Sequence, residues 1–315
     1  MKLATLDTGP GGRTAVVAGD ELLDFARMAA FVPLAAYVPA SMPALLAARE
    51  PGLDIVRRIV DDVRGRSADE QGAMRAGKAL IPYSDDALLA PVPAPGILLS
   101  HGRAYHSHRR EMRGGDYDPA SAEGPPSAFL KNANSIVGTG RPIRLPADVP
   151  NMVDLEVEFS IVFGTECHQV GRADALRYVA GYTLINDVSA RDWVEESRRT
   201  NNMDLVRISK QYPTFTPVGP VLTTADEIPD PNDVNIASAI NGRVMQDANT
   251  RDLIYGVEYL IEYFSRWYAF RPGDILTTGS PDGNGFGRKP PIFLRPGDLV
   301  TVSCDRIGTL SNPVV

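Results

Sequence analysis

Residues 153–159 read VDLEVEF, with carboxylates on alternate positions of an otherwise apolar run. Successive side chains of a strand point to opposite faces, so Leu155, Val157 and Phe159 are expected on one side and Asp154, Glu156 and Glu158 on the other. Same-face neighbours stand about 7 Å apart, where two unit charges repel by roughly 2 kcal/mol at an effective dielectric of about 20. Either water screens this repulsion on an exposed sheet face, or a bound cation uses it.

Around this stretch the chain is mostly strand and turn. ILLSHG (97–102), PIRL (142–145), LEVEFSIVFG (155–164), YTLIND (182–187), PVGPVLTT (217–224), NIASAING (235–242), DILTTGS (274–280) and DLVTVSC (298–304) are short apolar or alternating runs bounded by Gly, Pro, Asn and Asp. Helical spacing appears at 41–65, with Ser41 as a candidate N-cap, at 172–180, and at 250–268, where Leu253, Val257, Leu260, Ile261 and Phe264 form a stripe. The pattern predicts a strand-rich α+β fold. The proline cluster APVPAPG (90–96) suggests a boundary near residue 90, with a small N-terminal accessory domain at 1–90 and a larger domain at 91–315. The tripeptide Pro-Gly-Asp recurs at 272–274 and 296–298, each time before a strand, as a repeated turn device.

With 315 residues, 43% apolar and 23% charged, the chain can bury a full core. A net charge of -7, with arginines interleaved among acids, gives no reason to bind nucleic acid or an anionic membrane. Cys167 and Cys304 fit no metal or redox spacing and read as reduced, buried thiols. MKLATLDTGPGG lacks the apolar run of a secretory leader, and no stretch approaches the roughly 20 apolar residues of a membrane span, so a soluble, cytoplasmic protein is expected.

Two further stretches carry chemistry. INDVSARD (185–192) puts Asn-Asp at the end of an apolar run, and Asp187 is placed to complete a set with Glu156 and Glu158. Three carboxylates without a Cys or His cluster favour a hard cation, Mg²⁺ or Mn²⁺. A solvated sheet face and an Asx-turn or helix N-cap explain the same residues. SHGRAYHSHRREM (100–112) holds three of the four histidines, His101, His106 and His108. His108 and Glu111 are three apart, so on a helical turn the carboxylate can orient the imidazole as a general base. An exposed polar turn is the alternative.

YHSHRRE (105–111) resembles the YxxHxxE motif of the fumarylacetoacetate hydrolase family, LEVEF its ExE metal motif and NDVSARD its third-ligand motif, in the family's order. The similarity continues through PSAFLKNANSIVG, KQYPTFTPVGPVLTT, INGRVMQ, TTGSPDGNG and GDLVTVSCDRIGTLSNPV, over about residues 95–315. The resemblance implies a rolled, mixed β-sheet catalytic domain, a small N-terminal α/β domain and a homodimer. It implies a Mg²⁺ or Mn²⁺ site at Glu156, Glu158 and Asp187, with Asp154 as an outer partner or merely solvated. By the same carry-over His108 with Glu111 activates water, Lys131 and Lys210 act in catalysis, and Tyr105, Arg191 and Ser280 meet the substrate.

A cation chelated by two adjacent substrate oxygens polarises a carbonyl, which suits an anionic 2-oxo or diketo acid. The expected activity is therefore hydrolysis of a C–C bond in a diketo or acylpyruvate-type acid, such as a fumarylacetoacetate- or fumarylpyruvate-like substrate. A 2-oxo acid decarboxylase, hydratase or isomerase is the alternative, and a non-catalytic binding protein the rival from another class. The chain departs from the family's pattern at Ala104, Val194 and TGSP. Residues 112–128, rich in Gly, Pro, Ser and Ala, read as a lid over the site or as a surface insertion. Arg198, Arg199 and Arg207 point to an anionic substrate or form a charged helix face.

Overall fold

The computed structural model of this chain describes residues 1–113, 117–118, 124–148 and 151–315. Its main feature is a mixed sheet of twelve strands among the described residues. The order across it is Leu80–Pro82, Glu21–Asp24, Arg13–Ala18, Lys2–Leu6, Thr216–Thr224, Val179–Asn186, Val157–Phe163, Ile275–Thr277, Leu98–His101 and Ala128–Leu130. Leu88–Leu89 pairs with Lys2–Leu6, and Ile136–Val137 runs parallel to Thr216–Thr224. A second, four-stranded antiparallel sheet is built from Asn235–Ile240, Arg243–Asn249, Leu299–Cys304 and Gly308–Pro313. The fold is thus the strand-rich α+β class read from the sequence.

The strand Val157–Phe163 is hydrogen-bonded on both sides and buried on both faces. Phe159, Ile161 and Phe163 enter one core with Phe264 and Phe270. The other face reads Glu158, Ser160, Val162, and Val162 enters a second core shared with Val56, Ile59 and Val60 of the helix Arg49–Gly65. Burial leaves no water to screen Glu158.

The acidic stretch is not one continuous strand. Val153–Asp154 pairs separately with Ser189–Ala190, and Leu155 and Glu156 lie between the two ladders. The local cause is side-chain competition for the backbone: the Leu155 N–H donates to the Asp154 carboxylate (2.9 Å) and the Glu156 N–H to Asn186 Oδ1 (2.9 Å).

The N-terminal strands join the main sheet through Lys2–Leu6, where Lys2 faces Thr223 and Leu3 faces Leu222. The helical pattern at 41–65 is split into Met42–Ala47 and Arg49–Gly65. Pro51 cannot donate a hydrogen bond, and its ring conflicts with the carbonyl four residues earlier, that of Ala47. Ser41 occupies the N-cap position without a side-chain cap bond. The segment 172–180 is a 3₁₀ turn, Arg172–Tyr178, leading into a strand. Only Val257–Phe264 of the 250–268 stripe is α-helix, although all five stripe residues are buried.

The repeated Arg-Pro-Gly-Asp forms the same turn twice. Gly273 (φ 90°) and Gly297 (φ 93°) take the left-handed conformation, while Asp274 and Asp298 accept the N–H of Arg271 and Arg295. Cys167 and Cys304 are free and buried. No helix among the described residues is long and apolar enough to cross a membrane. Of the 112–128 segment, 114–116 and 119–123 lie outside the described residues.

Candidate metal centre and active site

Glu156, Glu158 and Asp187 converge. Each offers a carboxylate oxygen, and these atoms lie within 4.8 Å of one another. The register brings this about: Val157 faces Asn186 and Glu158 faces Ile185, so the start of one strand meets the end of its neighbour. The Asp187 N–H closes the junction on the Glu156 carbonyl at 2.9 Å. All three are buried, at 6%, 2% and 1% exposure, which removes the solvated-face reading.

Cationic side chains offset most of this charge. Lys210 Nζ lies 2.7 Å from Glu156 Oε2, 2.6 Å from Asp187 Oδ2 and 2.8 Å from Ser189 Oγ. Lys131 Nζ donates to Asp187 Oδ1 and to the Phe215 carbonyl (3.1 Å). Arg191 grips Asp154 Oδ2 (3.0 and 2.9 Å) and also bonds Glu156 Oε1. Asp154, fully buried, further accepts the N–H groups of Gly285 (2.7 Å) and Phe286 (3.0 Å), so it acts through Arg191 rather than facing water.

Glu158 is the exception. Among the described residues no cationic side chain forms an ion pair with it; Ser100 Oγ lies 3.5 Å from its Oε2, the Thr277 hydroxyl is a further polar neighbour, and the charge of Lys210 acts on it from beyond ion-pair distance. Burial, and then the charge of Asp187, push the Glu158 carboxyl well above the usual carboxylate range. Burial alone would also raise Glu156, but Arg191 and Lys210 hold it below that range. Burial lowers the Lys131 ammonium despite Asp187 beside it.

The cluster is therefore one positive charge short. A small dication suits that deficit, and an octahedral hard cation with oxygens at about 2.1 Å needs neighbouring ligand oxygens about 3 Å apart and opposed ones about 4.2 Å apart, within reach of the observed spread. The donor set fits a hard divalent cation, which Glu156, Glu158 and Asp187 would hold.

The helix His106–Arg113 sets His108 and Glu111 on one face, with Nδ1 3.5 Å from Oε2. Its first turn is held by Asp252, which accepts the Ser107 N–H at 2.8 Å. Glu111 Oε1 also accepts the Gly283 N–H (3.1 Å). The His108 imidazole lies near enough to Glu156 to act on its carboxylate electrostatically. His101 instead lies in the interior with Nδ1 2.8 Å from the Ser127 carbonyl, and His106 meets the Tyr117 hydroxyl at 2.6 Å.

Other expected residues fall in different surroundings. Tyr105 is fully buried in the main core; its hydroxyl lies near Thr278 without meeting hydrogen-bond geometry. Arg191, 8% exposed, directs its guanidinium at Asp154 and Glu156. Lys131 and Lys210 are buried ion-pair partners, not surface salt bridges. Arg198, Arg199 and Arg207 pair with Glu195, Glu196 and Asp204 on their own helices, with all three arginine side chains exposed, a charged helix face.

Ser280, 5% exposed, accepts from Gln246 Nε2 at 2.8 Å. Gln246 also accepts the N–H of Val157, the residue between the two glutamates, at 2.9 Å. No local sequence pattern assigns a role to Gln246, Ser100 or Asn284. Gln246 and Asn284 lie in INGRVMQ (240–246) and TTGSPDGNG (277–285), but only their distant partners reveal what they hold.

Residues 98–315 match the model of the fumarylacetoacetate (FAA) hydrolase C-terminal family. The chain is 36% identical over 278 residues to the mitochondrial oxaloacetate tautomerase FAHD2B of Homo sapiens, covering 88% of this chain and 81% of that protein. Maleylpyruvate hydrolase from Sphingobium sp. SYK-6, solved with manganese(II) and pyruvate, matches all of this chain and 99% of its own at 30% identity and TM-score 0.71. The 5-carboxymethyl-2-hydroxymuconate delta-isomerase from Mycobacterium smegmatis matches 75% of this chain and 82% of its own at 36% identity and TM-score 0.61.

Proposed function

The chain belongs to the fumarylacetoacetate hydrolase family, and on that footing we propose that it is a Mg²⁺- or Mn²⁺-dependent enzyme that moves a proton between carbon and oxygen in a 2-oxo diacid, as in keto–enol tautomerisation of an oxaloacetate-like substrate. The observation that carries this reading is the His108–Glu111 pair beside the buried Glu156, Glu158 and Asp187. The relative at 36% identity whose name is oxaloacetate tautomerase supports the substrate class.

When bound, the dication supplies Lewis-acid polarisation of a substrate carbonyl. His108 takes the proton from the carbon next to that carbonyl and delivers it to the carbonyl oxygen, which gives the enol; the reverse transfer restores the ketone. Glu111 fixes the ring and steadies the imidazolium once it holds the proton. Lys210 and Lys131 hold the carboxylates in place and offset developing negative charge. Ser280 accepts from Gln246, so its own hydroxyl proton is free to donate to a substrate oxygen. Water need not take part, which makes proton transfer the smaller demand on this site.

Hydrolysis of a C–C bond in an acylpyruvate is the second reading, favoured by the full-length similarity to maleylpyruvate hydrolase. In that case His108 draws its proton from water. A homodimer is part of the proposal and is read from the mass in solution.

The test is oxaloacetate with and without Mn²⁺, following enol absorbance and product identity. Tautomerisation changes the absorbance without releasing pyruvate, and His108→Ala lowers its rate by about 100-fold or more. Full turnover by that variant would remove His108 from the chemistry. Maleylpyruvate cleaved faster than oxaloacetate is equilibrated would favour the second reading.

A further inference from the structure

The loop 281–288, reading PDGNGFGR, touches both halves of the site. The N–H groups of Gly285 and Phe286 hold Asp154, and the N–H of Gly283 holds Glu111. Between them sits Asn284, 2% exposed. Its Nδ2 donates to Glu156 Oε1 at 3.3 Å, and its Oδ1 accepts the Gly287 N–H at 2.9 Å. Gly287 in turn lies against Glu111: a Cβ there would stand 2.3 Å from the Glu111 carboxyl carbon.

From Glu156 hydrogen bonds run through Asn284 to the Gly287 backbone, which packs against Glu111, and the Glu111 carboxylate stands 3.5 Å from His108 Nδ1 without a hydrogen bond. We propose that Asn284 is a positioning residue that couples the metal-facing carboxylate of Glu156 to the placement of the His108–Glu111 pair. One side chain does both because an amide has a donor and an acceptor on opposite sides. The donor suits a carboxylate, and the acceptor suits a backbone N–H. A carboxylate at 284 would lose the first contact and an aliphatic side chain would lose both.

This inference rests on the proposed site, so its test includes readouts that do not depend on which acid is turned over. Amide exchange over residues 282–288 is measured with and without Mn²⁺, together with Mn²⁺ affinity by calorimetry. In the wild type, Mn²⁺ slows exchange across this loop. In Asn284→Ala that slowing is lost and Mn²⁺ binds about tenfold more weakly, the scale of one hydrogen bond to a charged group.

With an active substrate, kcat falls about tenfold while KM stays within about twofold. Adding Asn284→Ala to Glu111→Gln costs nothing further in kcat, because the effect of Asn284 on the base runs through Glu111. Exchange in the wild-type loop that ignores Mn²⁺ overturns the proposal, even should Asn284→Ala fail to fold. So does a folded Asn284→Ala that binds Mn²⁺ like the wild type, or additive losses in the double variant. A wild type that slows its loop on binding Mn²⁺ but turns over none of the acids would instead overturn only the assigned reaction.

Discussion

Lys210, 6% exposed, sets its Nζ 2.6 Å from Asp187 Oδ2, and the same ammonium reaches Glu156 at 2.7 Å. A lysine so placed is held in its charged form by Asp187 and Glu156 against the burial that would lower it. With Lys131 and Arg191 it satisfies Asp154, Glu156 and Asp187, leaving Glu158 as the acid that still needs a positive charge. This imbalance decides how the metal-free protein behaves.

Removing a lysine breaks a buried pair and leaves the acid behind. Lys131→Met should destabilise the metal-free protein by about 3–5 kcal/mol, read from denaturant unfolding. Mn²⁺ should recover part of the loss, because a ligand that binds only the folded state adds stability. A variant as stable as the wild type without metal would mean that Lys131 does not neutralise Asp187.

Glu158→Gln should have the opposite sign. It keeps the shape and removes the carboxyl whose ionisation burial opposes, so above the pH at which folded Glu158 loses its proton the metal-free variant should unfold at the same or a higher temperature than the wild type. It should also lose Mn²⁺ affinity by more than about 100-fold in calorimetry. Retained affinity would exclude Glu158 from the metal set.

The pH dependence follows from Glu158, whose folded carboxyl is raised above its unfolded value of 4.5. The folded state then keeps a proton that the unfolded chain has released, so the contribution to stability falls as pH rises past that value and through the raised folded one. Mn²⁺ must displace that proton, so its binding should tighten with pH and release a proton. Calorimetry in two buffers of different ionisation heat measures the release; equal heats would contradict it.

His101 governs an acid limb. Burial lowers its pKa to about 4, and its Nδ1–H donates to the Ser127 carbonyl. The unfolded chain takes up a proton near pH 6.5, so the folded protein should lose roughly 3 kcal/mol between about pH 6.5 and pH 4 on this account. In His101→Leu that part of the slope should vanish from a series of unfolding curves, whatever the variant costs at neutral pH.

Gly287→Ala separates activity from stability. The added Cβ meets the mobile end of the Glu111 side chain, so the fold should tolerate it while the carboxylate moves away from His108. A kcat lower by about tenfold or more, with a melting temperature near that of the wild type, is expected. Unchanged kcat would show that Glu111 does not need this position.

The acidic run, the Asn-Asp after an apolar strand and the i,i+3 His–Glu pair were legible in the chain because each depends on local periodicity. Alternation places Glu156 and Glu158 two residues apart, and a single helical turn joins His108 to Glu111. The two Arg-Pro-Gly-Asp turns are local in the same way. Sequence alone also marked a strand-rich α+β fold, since short runs bounded by Gly, Pro, Asn and Asp can be read one at a time.

Only the tertiary structure decided what surrounds the acids. Lys131, Arg191 and Lys210 are scattered through the chain, and sheet order and register bring them to one spot. The burial that removes water from Glu158 comes from layers on both sides of Val157–Phe163, and the break at Leu155–Glu156 comes from Asn186 capturing a backbone N–H thirty residues away. Joining the first strands to Thr216–Thr224 likewise depends on a pairing across more than 200 residues. Such contacts leave no periodic trace, because the free energy that selects them belongs to the packed assembly and not to any stretch of chain.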